Sequence, residues 1–154
     1  MEGLERVVLE HPFFAGLEKE LGAVISGCAR NLRFEAGQYL FHEGDPADEF
    51  YLVRHGVVAL EICPPGGECL MISTVPEGEI VGASWLVPPY RWVHDARAVQ
   101  LTRAIGLDAK CLREKCEADH HLGYEMMKRF VPILLKRLQA TRLQLLDVYG
   151  KPGK

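Results

Sequence analysis

The sequence predicts a mainly β fold with flanking helices: a double-stranded β-helix of the jelly-roll or β-roll kind, an N-terminal helix, and a long C-terminal dimerisation helix. Three observations carry this. Residues 31–108 alternate short apolar runs with glycine-bearing turns every eight to twelve residues, the texture of a two-sheet β domain. Apolar residues at helical spacing precede that stretch. A heptad seam follows it.

The 154 residues make one domain, 1–154, large enough to bury a core, with a helical segment at 4–30, the roll at 31–108 and helices at 109–150. In the first segment Leu4, Val7 and Val8, then Leu17, Leu21, Val24 and Ile25, recur at helical spacing, and HPFFAG interrupts the run. In the roll, LRF, EFYLVRHG, VVALEI, CLMISTV and ARAVQLTRAIGLD read as strands. Gly37, Gly44, Gly56, Gly66, Gly67 and Gly78 stand between them where the chain turns sharply. Cys111 to Glu117 reads as a short helix, and Asp119 as the N-cap of a long one.

Along the long helix Met127, Val131, Leu134, Leu138, Thr141, Leu145 and Val148 fall at alternating steps of four and three. A second apolar line, Phe130, Leu135, Leu146 and Tyr149, is expected to pack back on the sheet. A monomer buries only one such face, so the seam predicts a parallel two-fold homodimer, the alternative being that both faces pack within one chain. Lys151 to Lys154 reads as a frayed tail.

Composition excludes several function classes. A net charge of −3 with both signs spread along the chain argues against direct nucleic-acid binding, which needs a concentrated basic face. No apolar run reaches the roughly 18 residues of a membrane span, and the acidic, amphipathic start is no signal peptide, so a cytoplasmic protein is expected. Five cysteines, an odd number without a secretory signal, read as reduced, structural or incidental thiols. Cys63 and Cys69 flank a hairpin tip and could face each other across it. No CxxC, no H-x-H, no G-x-S-x-G and no P-loop is present. His42, His55 and His94 read as surface or turn residues, and no residue set reads as a metal site or a catalytic constellation. The chain is read as not an enzyme.

The informative stretch is GEIVGASWLVPPYRWVHDARA, residues 78–98. A Gly-Glu pair opens it, and Arg91 and Arg97 close it. Exposed amides and an arginine hold a phosphate, and a carboxylate takes a sugar hydroxyl. The bland reading is that both arginines are solvated or paired with Asp95 or Glu79. Trp85, Tyr90 and Trp92, with Pro88 and Pro89, cluster within eight residues. They fill a pocket, stack on a planar ligand, or form an exposed docking patch, and the sequence leaves all three open.

HPFFAGL, RFEAGQYLFHEGDPADEFYLVRHGVVAL, PEGEIVGASWL and KRLQATRLQLL, in that order and spacing, resemble the cyclic-nucleotide-binding domain of the bacterial catabolite-activator and fumarate-nitrate-regulator superfamily. The resemblance implies a phosphate-binding cassette: Gly78 and Glu79 at its head, with Glu79 on the ribose hydroxyl, Ile80 and Val81 starting its helix, and Arg91 on the phosphate. Counted back from ARA, the arginine position instead falls on Trp92. It implies further that Thr141, otherwise a seam residue setting register, reaches the purine across the dimer, with Arg142 beside it. Cyclic AMP or cyclic GMP is the implied ligand. DNA-binding relatives continue into a helix-turn-helix; five residues follow Tyr149 here, so none is expected. The expected function is a ligand-sensing regulatory module signalling through a protein partner. The alternative is a degenerate roll serving as accessory subunit of a redox enzyme complex such as an NAD(P)-reducing hydrogenase.

Overall fold

The computed structural model describes residues 2–149; Met1 and residues 150–154, including the expected tail, lie outside the described residues. Helix α1 (Glu2–Glu10) leads through a 3-10 turn (Pro12–Phe14) to α2 (Lys19–Ser26). Eight strands follow: β1 (Ala29–Phe34), β2 (Tyr39–Phe41), β3 (Glu49–His55), β4 (Val57–Ile62), β5 (Leu70–Pro76), β6 (Ile80–Val81), β7 (Asp95–Ala98) and β8 (Thr102–Asp108). Helices α3 (Ala109–Ala118) and α4 (His120–Tyr149) close the chain.

The strands form two four-stranded antiparallel sheets, ordered β1-β8-β3-β6 and β2-β7-β4-β5. This is the β-roll with flanking helices that the turn spacing predicts. Strand β1 starts at Ala29, inside the stretch read as helical, because Gly27 ends α2 and Ala29 already pairs with Leu107. Asp108 caps α3 by accepting from the Cys111 N–H at 2.9 Å. Asp119 caps α4, its Oδ1 accepting from His121 at 3.0 Å and Leu122 at 3.4 Å.

An aromatic cluster ties the helices to the roll. Phe50 of β3 stacks on Trp85 at 4.7 Å and meets Phe130 of α4 edge-on at 5.4 Å; Phe13 meets Phe130 at 5.0 Å. All four are buried. Each such side chain contributes roughly 1.5–3 kcal/mol of apolar burial, and each aromatic pair adds about 0.5–1.5 kcal/mol.

Two expectations are corrected here. Of the second apolar line on α4 only Phe130 packs inward; Leu135, Leu146 and Tyr149 are exposed, because the face turned to the roll runs instead through Ile133, Arg137 and Gln144. The cysteines are not all free thiols: Cys28 is bonded to Cys111 and Cys63 to Cys69, leaving Cys116 free. The pattern of an odd count without a signal says nothing of which sulfurs the strands bring together.

Candidate functional site

The site begins at the turn between β5 and β6. Gly78 sits at φ +88°, which a side chain would disfavour. Its N–H donates to the Val53 carbonyl at 2.9 Å, and the Val53 N–H donates to the Glu79 carbonyl at 2.9 Å. This pins the turn to β3 and sets Glu79 on the wall of a cavity of about 520 Å³. The other walls are Pro12 and Phe13, Ser73 to Val75 of β5, and the face of α4 carrying Arg129, Ile133, Lys136 and Arg137.

The cavity is rich in positive charge. Arg129 is already engaged, donating to Glu125 Oε1 at 2.7 Å and to the Ala15 carbonyl at 2.9 Å. Arg137 donates to the Ile80 carbonyl at 2.6 Å. Burial lowers its pKa, and the charge of Glu79 works the other way. Neither Lys136 nor Arg137 forms an ion pair among the described residues. A volume of this order accommodates a nucleotide-sized ligand.

The segment after β6 is closed on itself. Ile80 and Val81 do not open a helix; they pair with Leu52 and Tyr51 of β3, and the only helical turn of the segment is Ser84–Leu86. Both are buried apolar residues with a β-branch, better suited to a covered strand than to a helix end. Gly82 at φ +106° lies directly under the Trp92 indole, with no room for a Cβ. Trp92 stacks on Phe41 at 3.7 Å with the rings 5° from parallel. The Pro88–Pro89 bond is cis. Arg113 of α3 lies 4.1 Å over the Tyr90 ring and donates to the Trp85 carbonyl at 2.7 Å, fastening the segment to α3.

The sequence-predicted residues therefore separate. Gly78, Glu79 and Ile80 line the cavity, and Val81 is buried beside it. Arg91 is exposed and donates to the Gly44 carbonyl at 3.0 Å, outside the cavity lining. Trp92 is core, and so is Trp85, so neither tryptophan belongs to an exposed docking patch. Arg97 pairs with Glu61 at 2.8 Å. Thr141 is exposed and donates to the Arg137 carbonyl at 2.9 Å; Arg142 is exposed beside it. His94 is half-buried among Phe41 and Trp92, and burial holds its pKa down. Sequence reasoning missed Lys136 and Arg137 as cavity residues. Their signal was Arg129, Ile133 and Arg137 at steps of four, one helix face that becomes informative once the surface opposite is known.

Residues 31–119, more than half of the chain, match the cyclic nucleotide-binding domain family. Among curated proteins the chain is similar to a CRP-like cAMP-activated global transcriptional regulator of Mycobacterium tuberculosis, at 23% identity over 94% of this chain and 63% of that protein. It is also similar to the neuropathy target esterase sws of Drosophila virilis, at 28% identity over 88% of this chain but 9% of that protein. The chain thus spans less than two thirds of either relative. A solved structure from Geobacter metallireducens GS-15 superposes with a TM-score of 0.78 and 30% identity, covering 90% of this chain and 99% of that one. A cyclic nucleotide-binding domain from Methylobacillus flagellatus KT shares the fold, with a TM-score of 0.71 at 21% identity over 99% of this chain and 85% of that one. With the roll, the Gly78 turn and the long final helix in place, the chain belongs to the cyclic nucleotide-binding domain family.

Proposed function

We propose that this chain is a regulatory module that binds a small phosphate ester, a cyclic nucleotide or a close relative, in the cavity beneath α4, and reports occupancy to a partner protein. The observation that carries this reading is the convergence of Lys136, Arg137 and Glu79 on one cavity of about 520 Å³. Two cations without ion-pair partners among the described residues suit a phosphate, and a carboxylate beside them suits a sugar hydroxyl. The arrangement suits binding and positioning of a ligand.

The exposed seam on α4, Met127, Val131, Leu134, Leu138, Thr141, Leu145 and Val148, supports a parallel homodimer. In that dimer Thr141 and Arg142 would border the partner's cavity. Arg91 would reach a phosphate only after the segment fastened by Trp92 and Arg113 opens.

Thermal-shift and calorimetric titrations with cyclic AMP, cyclic GMP, ATP and NAD(P)H test the reading. One cyclic nucleotide at a hundred times its dissociation constant should add about 2.7 kcal/mol, a shift of a few degrees. Arg137→Ala should weaken binding at least tenfold. Unchanged affinity in Arg91→Ala keeps the phosphate on α4, and a tenfold loss moves it to the segment after β6. No shift with any ligand overturns the reading. It would leave the second one, an accessory interaction subunit of a redox enzyme, which the Trp92 indole lying over Gly82 favours.

A further inference from the structure

We propose that the tip of the β4–β5 hairpin is a redox-gated site for a thiophilic divalent cation, with Cys63, Cys69 and Glu61 as its ligands, water in the fourth position, the Asp95 carboxylate beside Cys63, and Zn²⁺ as the ion its chemistry fits. The site lies at the far end of β5 from the Gly78 turn, and the proposal does not rest on nucleotide binding.

The strand register builds the cluster. Ile62 pairs with Leu70, so Cys63 and Cys69 face each other one step beyond the last pair of β4 and β5. Glu61 pairs with Asp95 across β4 and β7, which puts both carboxylates on one face of the sheet. Cys63, two residues along from Glu61, points the same way. A carboxylate oxygen of Glu61 and the two sulfurs all lie within 4.8 Å of one another. Asp95 Oδ2 lies 3.3 Å from Cys63 Sγ. A tetrahedral zinc with sulfur ligands at about 2.3 Å and oxygen ligands at about 2.0 Å separates a sulfur from an oxygen by roughly 3.5 Å.

Charge and hydrogen bonding leave the cluster able to take a cation once the sulfurs are thiolates. Glu61 and Asp95 are both buried, with side chains 7% and 11% exposed, and like charges paired directly across strands oppose folding. Arg97 bonds only one oxygen of the pair, Glu61 Oε2, at 3.1 and 2.8 Å. Glu61 Oε1 is buried with no hydrogen-bond partner among the described residues. Asp95 Oδ1 accepts from the Glu43 N–H at 2.7 Å, and its Oδ2 faces the Cys63 sulfur and His42 Nδ1, the latter at 3.4 Å. A disulfide sulfur has no proton to give Asp95 and is a poor metal ligand. A thiolate is a good one. Cys69 is exposed, so an ion has a way in, and His42 holds the Asp95 carboxylate beside Cys63.

The gate is the disulfide. A dithiol or phosphine reductant supplies two electrons that break the Cys63–Cys69 bond. With a dithiol, the reductant leaves as its own disulfide; with a phosphine, water supplies the oxygen of the phosphine oxide. In both cases two protons are released as the two thiolates bind one Zn²⁺. A small-molecule disulfide that accepts two electrons forms the bond again, leaves as two thiols, and expels the ion.

The test is a Co²⁺ titration of the full chain, reduced with a phosphine and kept free of oxygen. The reduced protein should take one equivalent, with thiolate-to-cobalt charge-transfer absorption that one equivalent of Zn²⁺ bleaches. Oxidised protein and the Cys63→Ser/Cys69→Ser variant should show none, and Cys28→Ser/Cys111→Ser should keep it. Glu61→Gln should weaken binding at least tenfold, with circular dichroism confirming that each variant is folded. A silent reduced wild type, or absorption that survives in Cys63→Ser/Cys69→Ser, overturns the site. Unchanged affinity in a folded Glu61→Gln overturns the ligand set.

Discussion

Trp92 shows how one side chain decides what its segment can do. Its indole lies flat on Phe41 and over the Gly82 backbone, and it is 3% exposed. Trp92→Ala should cost about 3–5 kcal/mol, the range for emptying a large aromatic site. Gly82→Ala should be comparably harmful for two reasons: its Cβ would run into the indole, and its φ of +106° disfavours any side chain. Urea midpoints of the two variants check this, and a midpoint within experimental error of wild type would remove Trp92 from the core. His11 carries the pH dependence at this scale. Its Nε2 bonds the Val53 carbonyl at 3.0 Å while Nδ1 accepts from Phe13 at 3.1 Å, a set that needs the neutral ring. Burial lowers its pKa, against the opposing pull of the Val53 carbonyl. The unfolded chain therefore takes up a proton near pH 6.5 that the folded chain resists. This contribution is complete above that pH and is lost as the pH falls below it. The fall in urea midpoint between pH 7.5 and 5.5 should be smaller in His11→Gln than in wild type, and an equal fall would count against the assignment.

Helix α4 behaves as two elements. Leu122, Met126 and Phe130 are buried in its first half, and after Arg137 every described residue is exposed. Past that point the helix touches the roll through Gln144, whose Nε2 donates to the Ile72 carbonyl at 3.4 Å. Leu138, 46% exposed on the seam, is the informative position. Leu138→Glu should change the stability of one chain by no more than about 0.5 kcal/mol, as surface changes do. It should nevertheless turn a dimer into a monomer in sedimentation, because it sets two like charges together in an apolar seam. A wild-type monomer, or a dimeric Leu138→Glu, would rule the seam out. The heptad period was legible in the sequence because it is local. The wrong placement of Leu135, Leu146 and Tyr149 has the same root: periodicity tells which face is apolar but not which face meets the roll, here the one with Ile133, Arg137 and Gln144. Strand β6 was misread similarly, since Ile80 and Val81 owe their extended form to pairing with β3 some thirty residues away.

At the scale of the molecule, the roll could be read from turn spacing, while the cavity could not. Its walls come from the Pro12 turn, the β5–β6 turn and α4, which only the packed chain brings together. Phe13 is at once a cavity wall and a member of the cluster with Phe50, Trp85 and Phe130. An occupant would therefore bear on the helix and on the segment after β6 together. Arg137, bonded to the Ile80 carbonyl and next to Glu79, bridges α4 to the Gly78 turn. A phosphate between Lys136 and Arg137 should tighten that bridge, favouring the docked helix by the differential binding energy and no more. Hydrogen exchange reads this directly. Saturating cyclic nucleotide should slow the amides of residues 78–80 and 133–141, leave those of the β3–β8 ladder unchanged, and lose the effect in Arg137→Ala. Protection confined to residues 82–92 would place the ligand under Trp92 instead, and would mean that the closed segment opens to receive it.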